Sequence, residues 1–211
     1  NANGTEDLLY AATSVDTPQY DDLQAEGMEA VKLQFNHLLS KVKFTFANGF
    51  ATRNSSVEIK DIKMTAPEKG TIALNVENWW DNDDWKVEGT KTLEFGDVEL
   101  LAAGQKDECT YERLTLPVDK AYEYQVEFTV VLYTGDIIAL ETTKTTDISG
   151  VALEMGKAYN FTAVLDNTSL NLHAIEFTAE VDEWVDANNP ETEISIDYYI
   201  DDAGNFVVAN E

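Results

Sequence analysis

Two short runs of alternating apolar residues, between positions 31 and 46, constrain the fold more than any other feature of this chain. The runs are Val31, Leu33 and Phe35 at odd positions, then Val42, Phe44 and Phe46 at even positions. Because side chains alternate between the two faces of a strand, the change of parity requires a turn, a bulge or a separate strand in between. The sequence therefore predicts two strands, interrupted at residues 36–40, with these apolar side chains facing inward.

Similar alternation recurs along the chain and predicts many short strands. The clearest run is Tyr122 to Leu132, which continues through Thr134-Gly135-Asp136 into a hairpin partner at Ile137 to Thr142. Further alternating runs are Ile72–Val76, Tyr159–Leu165, Ile175–Val181 and Ile194–Ile200, and parity changes within Val57–Met64 and Leu93–Leu100 predict bulges. Since no segment keeps a helical period for three turns, the sequence predicts an all-β fold, an antiparallel β-sandwich.

The chain divides into three predicted parts. Residues 1–30 form a linker, residues 31–189 form the β-sandwich domain, and residues 190–211 form a C-terminal hairpin extension. The last boundary follows a polar stretch at residues 186–189 and falls at Pro190. The predicted hairpin pairs Ile194–Ile200 with Phe206–Val208 across a polar turn.

Charge and composition exclude several classes of function. Forty acidic and 14 basic residues give a formal charge of −26, which repels phosphate backbones, so we expect no nucleic-acid partner. The single cysteine, Cys109, excludes an internal disulfide framework and a multi-cysteine zinc site. No apolar run approaches the length of a membrane span, so we expect no transmembrane segment in this chain.

The sequence offers no pattern for catalysis. The two histidines, His37 and His173, stand in no local nucleophile signature, and no glycine-rich phosphate loop is present. Carboxylates are too abundant for any pair of them to indicate an acid–base site. We therefore expect no enzyme activity, no catalytic residues, no metal site and no cofactor.

The densest local cluster is the aromatic and acidic segment Trp79 to Trp85. Tryptophan faces stack on sugar rings, and adjacent carboxylate and amide oxygens bind calcium. Trp79, Trp80 and Trp85 are thus candidate glycan contacts. A turn between strands, with its tryptophans covering the border of the sandwich, explains the same residues.

Four sequence motifs, in this order, resemble those of the fimbrillin family, the pilus and adhesin subunits on the surface of Bacteroides-type bacteria. They are Asp7-Leu8-Leu9-Tyr10-Ala11, the segment from Phe35 to Val42 (F-x-H-x-L-S-K-V), Gly156 to Phe161 (G-K-x-Y-x-F) and Ile175 to Trp184 (I-x-F-x-x-x-V-x-x-W). The resemblance implies two transthyretin-like β-sandwich domains, of which this chain resembles the C-terminal one, with residues 1–30 a remnant of what precedes it. It also implies export as a lipoprotein precursor to the cell outer membrane. Two features of the family are not visible in this sequence. One is a lipid-bearing cysteine. The other is an activation cleavage site, because the only arginines, Arg53 and Arg113, lie within the predicted sandwich.

The resemblance implies a structural and adhesive subunit of a surface pilus (fimbria), whose partners are other pilus subunits and host or bacterial surface ligands. Subunits in this family assemble by strand addition, in which a strand of one subunit completes a sheet of another. The candidate subunit-contact strand consists of Ile194, Ile196, Tyr198 and Ile200. The alternative function is a surface glycan-binding β-sandwich module that uses Trp79, Trp80 and Trp85.

Overall fold

The computed structural model describes residues 4–11, 35–51, 54–72, 85–166 and 175–184, together with the backbone of residues 198–200 and 206–208. Within these ranges the chain forms thirteen β-strands and no helix, which confirms the all-β prediction. The strands are β1 (Leu9–Ala11), β2 (Phe35–His37), β3 (Ser40–Asn48), β4 (Ser55–Thr71), β5 (Lys86–Ala102), β6 (Lys106–Glu108), β7 (Arg113–Thr115), β8 (Tyr124–Thr134), β9 (Ile137–Ile148), β10 (Lys157–Leu165), β11 (Thr178–Glu183), β12 (Tyr198–Ile200) and β13 (Phe206–Val208).

The chain separates into two compact units. The first, which we call the sandwich, consists of Asn1–Leu8 and His37–Trp184 and contains both large sheets. The second consists of Leu9–Asn36 and Val185–Glu211 and contains β1, most of β2, β12 and β13. The predicted division at residues 30 and 189 stays a prediction.

Two sheets form the sandwich. Sheet I has the strand order β11-β10-β3-β6, with β7 also pairing with β3, and sheet II has the order β5-β4-β8-β9. Neighbouring strands are antiparallel with one exception, since β10 runs parallel to β3 and places Phe161 opposite Phe44. The predicted antiparallel β-sandwich is thus confirmed, and the parallel pair β3–β10 is a local departure that the sequence did not predict. Alternation predicts which face of a strand is buried but not which way the strand runs, and all of sheet II separates β3 from β10 in the sequence. The transthyretin-like subtype stays a prediction.

The core lies between the inward faces of the two sheets. Val42, Phe44 and Phe46 of β3 are fully buried, as their even parity predicts. The Phe46 ring lies 5.0 Å from that of Phe128 in β8, and the Phe44 ring lies 4.8 Å from that of Phe95 in β5. Aromatic pairs at such distances stabilise a core beyond the area that they bury. Contacts across the two sheets thus join them into one hydrophobic core.

The strand predicted over Tyr122–Leu132 is confirmed as β8, which begins two residues later, at Tyr124. Its inward residues are Tyr124, Val126, Phe128 and Val130, all fully buried, and Leu132, which is partly buried. Tyr122 lies in the turn before the strand, where its N–H donates to the Asp119 carbonyl at 3.3 Å, and its ring still packs against the core. The turn at Gly135-Asp136 joins β8 to β9 and confirms the predicted hairpin.

Both predicted parity changes are bulges in the pairing of β4 with β5. The register shifts between Ile59 and Ile62, where Asp61 adopts φ +54° and, on the facing strand, Gly96 adopts φ +75°. A Cβ at Gly96 would also lie 2.8 Å from the Cβ of Thr110. Glycine is therefore required at this bulge by both the backbone conformation and the space available.

Three predicted inward positions are wrong, because Phe35, Leu100 and Val181 are each more than half exposed. Phe35 lies in β2, which pairs with β1 in a separate two-stranded sheet. A second bulge in β5 moves the inward position from Leu100 to Leu101, which is buried. Val181 lies on β11, at the border of sheet I, where a strand has a neighbour on one side only.

The remaining alternating runs fall partly outside the described residues. The run Tyr159–Leu165 is confirmed as β10, with its alternate side chains buried. The run at Ile175–Val181 becomes β11, which begins only at Thr178. β4 ends at Thr71, one residue before the run at Ile72, and Leu74, Val76, Val31 and Leu33 lie outside the described residues.

Candidate functional site

The single thiol is a core group. Cys109 is buried beside Phe44 of β3, where its sulfur accepts the Phe44 N–H at 3.3 Å and donates to the Tyr111 carbonyl at 3.2 Å. Burial raises the pKa of the Cys109 thiol, which disfavours the reactive thiolate. His173 lies outside the described residues. In the described ranges, no three His, Cys, Asp or Glu side chains are grouped to hold a metal ion, and no helix is long and apolar enough to cross a membrane.

His37 belongs to a contact that we call the clasp, formed by Asp7, His37 and Trp184. His37 Nδ1 lies 2.6 Å from Asp7 Oδ2, and because a carboxylate only accepts hydrogen bonds, the imidazole is the donor. The other side of the clasp is a stack, in which the His37 and Trp184 rings lie 3.7 Å apart with an interplanar angle of 11°. Lys41 Nζ lies 5.1 Å from the centre of the Trp184 ring, which is cation–π geometry.

Backbone bonds around the clasp attach the N-terminal segment to the sandwich. The Leu38 N–H donates to the Leu8 carbonyl at 2.9 Å, and the Leu114 N–H donates to the Gly4 carbonyl at 2.7 Å. The Trp184 N–H donates to the Gly156 carbonyl at 2.9 Å. Residues 4–8 are thus bound to the rest of the sandwich, although 28 residues of the other unit separate them from His37 in the sequence.

The clasp lies where the chain passes between the two units. The chain leaves the sandwich after Leu8, returns at His37 and leaves again after Trp184. Asp7 precedes the first crossing, and His37 and Trp184 stand at the other two. The clasp therefore holds together, on the sandwich, the three points at which the chain enters or leaves it.

We expect Trp184→Ala to lower the free energy of unfolding by about 1–3 kcal/mol, because it removes the ring that stacks on His37. Val181→Ala, on the same stretch of chain and half exposed, should change it by less than about 1 kcal/mol. Urea denaturation measures both values. Equal losses in the two variants would contradict the role given to the clasp.

Only Trp85 of the predicted glycan contacts lies within the described residues, immediately before β5. Trp85 is half-buried, and its ring packs against Gly70. A Cβ added at Gly70 would lie only 3.0 Å from Trp85 Cε3. Its indole Nε1 is buried without a hydrogen-bond partner among the described residues. The glycan contact at Trp79, Trp80 and Trp85 stays a prediction.

The predicted C-terminal hairpin is present in the backbone. β12 pairs antiparallel with β13, placing Tyr198 opposite Val208 and Ile200 opposite Phe206. Ile194 and Ile196 lie outside the described residues. The contact role of this segment stays a prediction.

These residues define a two-sheet β-sandwich in which the clasp joins the points where the chain enters and leaves. Comparison with known proteins identifies its family. The model of the fimbrillin-like family matches residues 1–184. The chain belongs to the fimbrillin-like family. No curated protein matches it.

Several solved structures resemble this chain at low sequence identity. A candidate cell adhesion protein from Parabacteroides distasonis has a TM-score of 0.50 at 12% identity, over 74% of this chain and 54% of that one. A fimbrial protein from Bacteroides vulgatus has a TM-score of 0.48 at 12% identity, over 72% and 56% of the two chains. A candidate cell adhesion protein from Bacteroides ovatus has a TM-score of 0.41 at 15% identity, over 74% and 49%. The matches span about half the length of these three proteins.

The sequence motifs that indicated the family also contain the residues of the clasp. Asp7, His37 and Trp184 each lie in a different motif. Sequence reasoning did not predict that the three side chains contact one another. The only sequence signal for this contact was that one motif ends on a tryptophan and another contains one of the two histidines in the chain.

Proposed function

We propose that this chain is a structural and adhesive subunit of a surface pilus, and that it has no catalytic role. The observation that carries the proposal is the fimbrillin-like match over residues 1–184, which includes every strand of the sandwich. The names of the solved structures, a fimbrial protein and candidate cell adhesion proteins, support the same function. Its location is the cell surface, after export as a lipoprotein precursor to the outer membrane.

The partners of such a subunit are other pilus subunits, joined by strand addition. An exposed strand supplies a row of backbone donors and acceptors to a neighbouring sheet, and its alternate side chains fill pockets there. The donor in this proposal is the segment at residues 193–209, whose alternating Ile194, Ile196, Tyr198 and Ile200 must be buried somewhere. In the described backbone of the β12–β13 hairpin, three residues of each strand pair, and a two-stranded hairpin alone is marginally stable in water. Docking on another subunit removes that instability.

The experiment is to follow the chain in the cell that produces it. Antibody labelling and immunoblotting of mechanically sheared surface fibres should find the chain along the fibres, and deletion of its gene should remove it from that fraction. Recovery of the chain only from the cell interior, with surface fibres free of it, would overturn the proposal.

A further inference from the structure

Strand donation makes one residue of the sandwich receive the pull of a neighbouring subunit. Trp184 is the last residue of the sandwich, and the proposed donor segment begins nine residues later, at residue 193. When a second subunit holds that segment, any tension between the two subunits enters this chain at Trp184. The contacts that secure Trp184 therefore decide how much tension the subunit withstands.

The strand that ends beside Trp184, β11, is poorly suited to carry that tension. It has six residues, five of them exposed, and in the part of the chain that the structure describes it pairs with β10 alone. Its inward residue Val181 is half exposed. Segments with few buried contacts and exposed backbone hydrogen bonds open at a low cost in free energy. Without another attachment, tension at Trp184 should separate β11 from β10 before the rest of sheet I unfolds.

The clasp attaches this end of β11 to a strand two places away in the sheet. The Trp184 ring stacks on His37, which lies three residues before the start of β3, and Nζ of Lys41 in β3 lies 5.1 Å from the centre of that ring. His37 is held in turn by its hydrogen bond to Asp7. Since the strand order is β11-β10-β3, these contacts extend past β10. The Trp184 N–H also donates to the carbonyl of Gly156, immediately before β10.

The strands that the clasp reaches, β3 and β10, are the strands of sheet I best able to carry tension. They are its two central strands and pair with each other over eight residues. Their inward side chains are buried in the core, namely Val42, Phe44 and Phe46 of β3 and Tyr159, Phe161, Ala163 and Leu165 of β10. Because separating β3 from β10 would expose this apolar surface to water, it costs more free energy than separating β11 from β10.

We propose that the clasp is the anchor of the donated strand: it transmits tension from the C-terminal segment to β3 and β10, so that β11 is not pulled away first. This inference rests on the proposed function, because the tension comes from a neighbouring subunit that holds residues 193–209. The anchor lies within one subunit and adds no contact to the neighbour. It therefore determines the strength of the joint between two subunits and not the formation of that joint.

Single-molecule pulling on the full chain tests the anchor without a fibre. One handle follows Glu211, and the other is attached at Asp136→Cys, in the exposed turn between β8 and β9, with Cys109→Ser removing the natural thiol. With the clasp intact, we expect β11 to separate in the same event as the rest of sheet I. In Trp184→Ala we expect a separate, earlier step that adds about 25 Å of chain, the extended length of residues 178–184. At a fixed force, β11 should be released at least about tenfold faster in this variant.

Three further variants separate an anchor from a residue that only stabilises the fold. His37→Ala removes the other ring of the stack and should give the same early step, whereas Trp184→Phe keeps an aromatic ring in the stack and should give none. Phe128→Ala weakens the core without changing the clasp, so it should lower the force of the main event and add no early step. An early step in Phe128→Ala, or its absence in Trp184→Ala, would overturn the proposal.

The pulling experiment also distinguishes failure of the anchor from failure of strand donation. The handles supply the tension directly, so a missing early step in Trp184→Ala counts against the anchor alone. Entry of the chain truncated after Asn189 into surface fibres would count against the donor role, on which the anchor rests, even where every pulling result is as expected.

Discussion

Replacing Phe128 by alanine is expected to lower the free energy of unfolding by about 3–5 kcal/mol. Phe128 is fully buried at the centre of β8. Its ring lies 5.0 Å from that of Phe46 and 6.1 Å from that of Phe177, so its removal leaves a cavity between the two sheets. A loss of this size is a large part of the stability of a typical domain.

Urea denaturation of the two chains gives the difference directly. The matched control is Glu127→Ala, which changes the adjacent, exposed side chain of the same strand and should alter the free energy of unfolding by less than about 1 kcal/mol. A loss below about 1 kcal/mol for Phe128→Ala would mean that the two sheets do not share this core.

The buried faces of the sandwich could be predicted from the sequence because alternation reports the face of each residue. Phe44 and Phe128 were predicted inward on that basis, and both are fully buried. The change of parity between Ile59 and Ile62 likewise predicted a bulge, which Asp61 and Gly96 form.

Alternation could not predict features that depend on which strands are neighbours. The parallel pairing of β10 with β3 leaves no trace in either strand, since a reversed strand has the same alternation. Val181 alternates like a core residue but is exposed, because β11 lies at the border of sheet I. The residues of the clasp were visible in the sequence, yet their meeting depends on contacts between segments that lie far apart along the chain.

Truncation after Asn189 is expected to leave a folded sandwich and to abolish incorporation into pili. In the part of the chain that the structure describes, the core residues all lie between Leu38 and Ala179, and the last residue of the clasp is Trp184, so the truncation removes no part of either. It does remove the alternating residues of the proposed donor strand. A circular dichroism spectrum and a melting temperature close to those of the full chain would establish that the sandwich is retained.

Point variants of the donor strand refine this prediction. Ile196→Asp places a charge at an apolar position of the alternation and should prevent incorporation, because a pocket that accepts isoleucine would have to bury an unpaired carboxylate. Asp197→Asn, at the adjacent polar position, should have little effect. Equal incorporation of the two variants would contradict the assignment of alternate residues to the pocket.

The most direct measurement of pilus assembly by strand addition is the amount of the chain in sheared surface fibres, relative to the total chain exported by the same cells. Cells that carry only the chain truncated after Asn189 should export it and yet show none in the fibre fraction. If the truncated chain enters the fibres at the level of the full chain, the donor role of the C-terminal segment is wrong.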